Sequence, residues 1–186
     1  MDKDSLSPSM FIGVQGEDII SFGSGQPDLP PPDDVYSILP NYRDFKYGLI
    51  QGTVELREAL ARQYPSSTAD SFVVTNGASE AIDLVLRVIA QRHNEEQHKI
   101  LIVRPYYYSY PHMVRFAGME PVFTDSVDGR IDIEDFASKV TGCKAVIINS
   151  PSNPTGRVES IETLKAIERI TSALGVYVLS DEVYKD

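Results

Sequence analysis

Two polar residues with complementary chemistry follow two buried apolar runs of this sequence. Asn153 comes shortly after the run Ala145–Ile148, and Asp181 comes two residues after the run Val176–Leu179. An amphipathic segment of helical spacing, from about residue 159 to 174, lies between the runs and ends at Gly175. Such a strand–helix–strand unit makes the two strands parallel neighbours, and open α/β sheets bind ligands at the carboxyl ends of their strands. We therefore expect Asn153 and Asp181 to meet at one sheet edge.

The carboxylate of Asp181 needs a partner at the end of a buried strand, because an unpaired buried charge is costly. It could cap a helix or pair with a structural arginine, or it could hold a proton on a heterocyclic nitrogen of a ligand. Tyr184 lies three residues further on and brings a phenol toward the same place, while Asn153 adds an amide donor.

A second group of residues could bind an anion. The segment TNGASEA, from Thr75 to Ala81, predicts a glycine turn that leads into a helix. Free backbone N–H groups at Gly77, Ala78 and Ser79, the helix dipole and the Ser79 hydroxyl would suit a phosphate. Ordinary helix capping is the alternative for this segment alone, and it matches neither a Walker A loop nor a GxGxxG fingerprint.

An aromatic side chain, Tyr107, follows a further predicted strand within the segment RPYYYSY. Its ring could stack on an aromatic ligand, or it could simply pack the rim of the sheet. Together, a phosphate cradle, a stacking ring, a carboxylate, an amide and a phenol match a phosphorylated pyridine that carries a phenolic oxygen. Pyridoxal 5'-phosphate is the cofactor of that description, and its chemistry needs a carboxylate at the ring nitrogen.

The elements that must position these residues alternate between strands and helices. This alternation predicts an α/β fold of three layers, α/β/α, with a mostly parallel sheet. Strands are expected over residues 19–22, 72–75, 100–103, 121–124, 145–148 and 176–179. Helices are expected over residues 35–38, 54–63, 78–89, 108–116, 132–140 and 159–174, with Thr53 as a cap and with Val85 and Leu86 on the core-facing stripe of the third.

Composition narrows the classes of function. The chain has 186 residues and a net charge of −10, which argues against nucleic acid or an anionic membrane as a partner. Its single cysteine, Cys143, is expected to be buried and inert, and it excludes a disulfide framework. No secretory signal and no apolar run of membrane-spanning length is present, so we expect a cytoplasmic protein.

The ordered set of motifs resembles the fold-type I, class I and II aminotransferases, which use pyridoxal phosphate. The resemblance rests on GSGQPDLPPP, KYGLIQGTVELREAL, TNGASEAI, RPYYYSYPHMVRFAG, SPSNPTG and SDEVY, which cover nearly the whole chain. It implies residues 1–45 as an N-terminal arm with a Gly/Pro-rich segment, and residues 46–186 as part of the cofactor-binding large domain. The expected reaction moves an amino group from an amino acid to a 2-oxo acid.

The resemblance also implies roles for single residues. Asp181 corresponds to the aspartate that keeps the pyridine nitrogen protonated, while Asn153 and Tyr184 correspond to the pair at the phenolic oxygen. Tyr107 corresponds to the stacking ring, and Gly77, Ala78 and Ser79 to the phosphate-binding turn. Tyr47 resembles a tyrosine that reaches the phosphate of a neighbouring subunit, which implies a homodimer. Gly25 resembles a backbone position near the substrate carboxylate.

The sequence departs from the family pattern in one respect that concerns the reaction itself. None of its seven lysines has the Ser-x-Ser-Lys context of the lysine that binds the cofactor covalently. We therefore expect an N-terminal fragment with a partial pocket, inactive by itself. A lyase or decarboxylase on the same fold and a non-catalytic ligand-binding module remain alternatives, whereas the sensor half of a transcription regulator is rejected.

Overall fold

The computed structural model describes residues 18, 29–92 and 98–185, and the chain divides into two compact units, Met1–Tyr47 and Gly48–Asp186. In the first unit, helix α1 (Asp33–Ile38) leads into a 3₁₀ turn over Leu39–Asn41. The helix predicted over residues 35–38 is therefore confirmed. The strand expected over residues 19–22 lies outside the described residues.

The second unit alternates strands with helices, as predicted. Its helices are α2 (Val54–Ala61), α3 (Ala78–Gln91), α4 (Tyr110–Phe116), α5 (Ile133–Lys139) and α6 (Ile161–Leu174), with a 3₁₀ turn over Ala69–Ser71. Its strands are β1 (Lys99–Val103), β2 (Glu120–Thr124), β3 (Ser126–Val127), β4 (Arg130–Ile131), β5 (Cys143–Asn149) and β6 (Tyr177–Asp181). Strands β2, β1, β5 and β6 form one sheet in that order, and each neighbouring pair is parallel.

Helices cover both faces of this sheet. Successive residues of a strand point to opposite faces, so β5 contributes side chains to two separate cores. On one face, Ala145 and Ile147 of β5 join a buried cluster with residues of α3 and α4, among them Leu86 and Tyr110. On the other face, Val146 and Ile148 join residues of α5 and α6. The predicted three-layer α/β/α fold with a parallel sheet is confirmed.

Side-chain caps mark the starts of three helices, close to the boundaries predicted from the sequence. The Thr53 hydroxyl accepts a hydrogen bond from the N–H of Leu56 at 3.3 Å, as expected for the residue before α2. Asp132 and Ser160 cap α5 and α6 in the same way. Gly175 ends α6 with a φ of 65°, a left-handed conformation that favours glycine.

The strand predicted over Phe72–Thr75 is wrong. The segment is a loop that exposes Val73, although the N–H of Val74 donates to the carbonyl of Gln51 at 2.9 Å. A strand exists only where a neighbouring strand pairs with it, and none of the described strands does so here. The short antiparallel pair β3 and β4 was not predicted, because two-residue strands carry no periodic pattern.

A wide apolar groove of about 700 Å³ separates this loop from the free edge of β6. Exposed apolar side chains of the loop, of α3 and of β6 line this β6 groove, among them Val73, Val85, Val88, Tyr177 and Val178. Val85 was expected to face the core but is 43% exposed, because no described element packs over that side of α3. Among the described residues, no helix is long and apolar enough to cross a bilayer.

Candidate functional site

A cavity of about 220 Å³ lies where the carboxyl ends of β5 and β6 meet the start of α3. Ligand sites for drug-sized molecules are roughly 300–1,000 Å³, so this volume suits a single substituted ring better than a dinucleotide. Twelve residues line it: Asn76, Gly77, Ala78, Ser79, Ile82, Tyr107, Tyr110, Asn149, Asn153, Asp181, Val183 and Tyr184. The structure therefore brings together seven of the predicted site residues, whose roles toward a ligand stay predictions.

Asp181 is the last residue of β6 and is held from several sides. Its Oδ2 atom accepts a hydrogen bond from the Tyr110 hydroxyl at 2.5 Å, and its Oδ1 atom accepts one from the N–H of Val183 at 3.2 Å. The Asn149 amide donates to its backbone carbonyl at 2.9 Å, directly across the β5–β6 register. The carboxylate is therefore partnered within the chain, as its half-buried position requires.

Asn153 and Tyr184 contact each other on the same side of the cavity. The Nδ2 atom of Asn153 donates to the Tyr184 hydroxyl at 3.2 Å. The backbone N–H of Asn153 donates to Oδ1 of Asn149 at 2.6 Å, which ties the loop after β5 to the end of that strand. An amide and a phenol are thus held side by side, about one hydrogen-bond length apart.

The turn before α3 leaves its first backbone N–H groups available. Gly77 precedes the helix with a φ of 81°, which glycine adopts without strain, and no side chain caps this helix. The Glu80 carboxylate binds the N–H and the side-chain amide of Asn76 at 2.5 and 3.0 Å, one residue before the turn. The first-turn N–H groups have no intrahelical acceptor, so Ala78 and Ser79 can donate to an anion.

Tyrosine rings form another wall of the cavity. The half-buried ring of Tyr107 lies edge-on to that of Tyr110, with centroids 5.5 Å apart, and its hydroxyl donates to Tyr108 at 3.3 Å. A hydrogen bond with Ser109 and another with Tyr108 lower the pKa of Tyr107. Burial raises the pKa of Tyr110 far above its usual range, and the hydrogen bond to Asp181 raises it further. Tyr110 is therefore protonated and acts as a donor.

The cavity contains no cationic side chain, since none of its lining residues is lysine, arginine or histidine. No cluster of three or more metal-ligating side chains occurs in the described part of the chain. An anion bound here would depend on backbone N–H groups and hydroxyls, which are weaker partners for phosphate than a cation.

The two other predicted site residues are Tyr47 and Gly25. Tyr47 belongs to the first compact unit and its side chain is fully exposed. Gly25 lies outside the described residues. Both assignments stay predictions.

The sequence interpretation missed Asn149 and Tyr110, which connect the predicted residues to one another. Asn149 is the first polar residue after the apolar run of β5, so its position at the sheet edge was visible in the pattern. No local pattern pointed to Tyr110, because it is separated from its partner Asp181 by 71 positions in the sequence.

Cys143 is the first residue of β5 and is buried, as predicted. Burial raises the pKa of its thiol to about 11, so the reactive thiolate is scarce at neutral pH.

Comparison with known proteins gives consistent matches. A family model described as aminotransferase class I and II matches residues 17–186. A probable aspartate/prephenate aminotransferase of Aquifex aeolicus is 34% identical over 94% of this chain and 46% of its own length. An aspartate aminotransferase of Geobacillus stearothermophilus is 31% identical over 97% of this chain and 50% of its own length.

Solved structures agree with these sequence matches. Aspartate aminotransferase from Thermus thermophilus with maleate superposes with a TM-score of 0.78 and 32% identity, covering 86% of this chain and 44% of that one. N-succinyldiaminopimelate aminotransferase from Mycobacterium tuberculosis gives a TM-score of 0.73, also at 32% identity. The chain spans about half the length of the curated relatives it matches.

Proposed function

This chain belongs to the class I and II aminotransferase family, and on that premise we propose that it forms the pyridoxal-phosphate pocket of an amino-acid aminotransferase. The enzyme would move an amino group from an amino acid to a 2-oxo acid. One observation carries the proposal: a carboxylate, an amide–phenol pair, an aromatic ring and an uncapped helix start line a single cavity. The names of the relatives favour transamination over the lyase alternative.

Each group of residues would bind a different part of the cofactor. Asp181 would accept the hydrogen of the ring nitrogen, and Asn153 and Tyr184 would donate to the phenolic oxygen. Tyr107 would contact the ring, and Gly77, Ala78 and Ser79 would hold the phosphate through N–H groups and a hydroxyl. When bound, pyridoxal phosphate supplies an electron sink for the carbanion at the substrate Cα. The negative charge of Asp181 makes that sink effective, because it keeps the ring nitrogen protonated.

Binding by this chain alone would be non-covalent and weak. The cavity has no cation for the phosphate, and no lysine lines it. Lys185 is the nearest lysine in sequence to Asp181, but its amine lies 3.4 Å from the Glu182 carboxylate and 5.0 Å from the ring centre of Tyr64.

The partners proposed for the complete enzyme follow from the family. We propose a homodimer in which the exposed Tyr47 reaches the phosphate site of the neighbouring subunit, with Gly25 near the substrate carboxylate. The buried, unreactive thiol of Cys143 is in keeping with a reducing, cytoplasmic location.

Equilibrium dialysis of the 186-residue chain against pyridoxal phosphate and pyridoxal tests the proposed function. The phosphate ester should bind more tightly than pyridoxal. Ser79→Ala should weaken binding of the ester by about tenfold, the value of one charge-assisted hydrogen bond, and should leave pyridoxal binding unchanged. Ser172→Ala, which removes an exposed hydroxyl from α6, is the matched control.

Borohydride reduction in the presence of pyridoxal phosphate, followed by mass spectrometry, should yield no stoichiometric adduct on any lysine. Failure of the wild-type chain to bind pyridoxal phosphate, or equal affinity for pyridoxal, would contradict the proposed pocket. A stoichiometric adduct on one lysine would contradict the non-covalent mode.

A further inference from the structure

Tyr110 is a buried ionisable residue at the cavity to which the proposed function assigns no role. It is the first residue of α4, and only 1% of its surface is exposed. Its ring packs in the cluster between α3, α4 and the sheet, while its hydroxyl reaches the cavity. A buried hydroxyl without a hydrogen-bond partner is destabilising, so the Tyr110 hydroxyl needs an acceptor close by.

The acceptor is Oδ2 of Asp181, at 2.5 Å. Since the N–H of Val183 binds the other oxygen at 3.2 Å, both carboxylate oxygens have donors, and these two contacts restrict rotation of the carboxylate group. Tyr110 therefore fixes the orientation of the Asp181 carboxylate.

The same side chain supports a second wall of the cavity. The rings of Tyr110 and Tyr107 meet at 77°, with centroids 5.5 Å apart, a favourable edge-to-face geometry. One buried residue thus contacts both the carboxylate proposed for the ring nitrogen and the aromatic side chain proposed for the ring face.

We propose that Tyr110 is a positioning residue that holds the Asp181 carboxylate in one orientation for the nitrogen of the bound pyridine ring. This inference rests on the proposed function, because it assigns the cofactor to this cavity. Tyr110 acts through Asp181 and keeps its own proton. A residue that only filled space would give the same packing with phenylalanine in its place.

Proton NMR of the ligand-free chain tests the contact itself. A hydroxyl proton in a short hydrogen bond to a carboxylate resonates far downfield and exchanges slowly when it is buried. We expect one such signal in the wild type and in Tyr106→Phe, which removes a hydroxyl from the loop before α4, outside this cavity. Tyr110→Phe and Asp181→Asn should each abolish it. Absence of the signal in the wild type, or its persistence in Asp181→Asn, would overturn the proposal.

Pyridoxal-phosphate binding in a double-mutant cycle tests whether Tyr110 works through Asp181. Tyr110→Phe should weaken binding by about tenfold in the wild-type background and by less than twofold in Asp181→Asn. The nitrogen-15 shift of a labelled cofactor ring should show less protonation in Tyr110→Phe than in Tyr106→Phe.

An effect of Tyr110→Phe that is equally large in Asp181→Asn would show simple packing and would overturn the inference. Absence of binding by the wild-type chain would instead overturn the proposed function, and with it the role toward the cofactor. The downfield signal would then still decide whether Tyr110 holds Asp181.

Discussion

At the scale of single residues, Asn149 connects two of the segments that line the cavity. Its side chain donates to the carbonyl of Asp181 and accepts from the N–H of Asn153, so it links the end of β6 to the loop after β5. A carboxamide can make both contacts at once because it carries a donor and an acceptor. Contacts within the chain therefore set the arrangement of Asn153 and Asp181.

Another residue-scale feature, away from the cavity, makes stability depend on pH. Asp135 accepts hydrogen bonds from the Thr124 hydroxyl at 2.6 Å and from the N–H of Asp125 at 2.8 Å, and it pairs with Lys139 at 2.9 Å. The Thr124 bond, followed by the Lys139 contact, lowers the pKa of Asp135 from 3.8 to about 2. A depressed folded-state pKa stabilises the fold above the unfolded pKa.

We predict that Asp135→Asn lowers the free energy of unfolding at pH 7. The difference from the wild type should shrink as the pH falls below 4 and should reach its minimum below pH 2, where Asp135 is protonated in the folded state as well. Urea unfolding followed by circular dichroism across this pH range measures the effect. Glu134→Gln, an exposed neighbour in the first turn of α5, is the control. A difference that stays constant with pH would contradict the prediction.

At the scale of helices and strands, the sequence predicts most elements because their signals are local. The apolar run of β5 and the spacing of α6 identify those elements without knowledge of their neighbours, and Gly175 marks a helix end by its own conformational preference. Placing Asn153 and Asp181 at one edge needed only the rule that connected parallel strands share their direction.

The predictions that the structure contradicts, and the contact that was missed, depend on residues far away in the sequence. The segment Phe72–Thr75 has the composition of a strand, but a strand also requires a hydrogen-bonded neighbour. Val85 has the spacing of a core residue, yet burial requires an element that covers it. The Tyr110–Asp181 contact depends on the relative placement of α4 and β6, which neither local sequence encodes.

Helix α6 connects β5 and β6, the two strands that carry the site, and a side chain caps its first turn. The Ser160 hydroxyl accepts a hydrogen bond from the N–H of Thr163 at 3.1 Å. Ser160→Ala should therefore destabilise the chain by about 1 kcal/mol, the usual value of a helix N-cap. Urea unfolding measures this difference, and Ser172→Ala in the exposed last turn should leave the midpoint nearly unchanged. Equal effects of the two substitutions would show that Ser160 is not a stabilising cap.

At the scale of the whole molecule, the β6 groove is a large apolar surface within the described part of the second unit. Its exposed apolar side chains are contiguous, whereas soluble monomers seldom expose large continuous apolar patches. The groove also follows the edge of β6 that pairs with none of the described strands, and an open edge presents unpaired N–H and C=O groups to other chains. The chain by itself should therefore self-associate.

We predict that Val178→Lys and Val88→Lys both reduce this association, because a charge in the groove opposes burial of its apolar wall. Sedimentation velocity over a range of protein concentrations measures the distribution of species. Val127→Lys, at an exposed valine of β3 outside the groove, should leave the distribution unchanged. A wild-type chain that sediments as a single monomer at every concentration would contradict the prediction.

The position of β6 in chain order has a consequence for biosynthesis. Asp181 is contributed by β6, while its partners Tyr110 and Asn149 belong to elements that a ribosome makes earlier. A nascent polypeptide can form the earlier strands and helices as they emerge, yet its cavity lacks the acidic wall until β6 has left the exit tunnel. The order of synthesis therefore requires that β6 be made before the cavity can be complete.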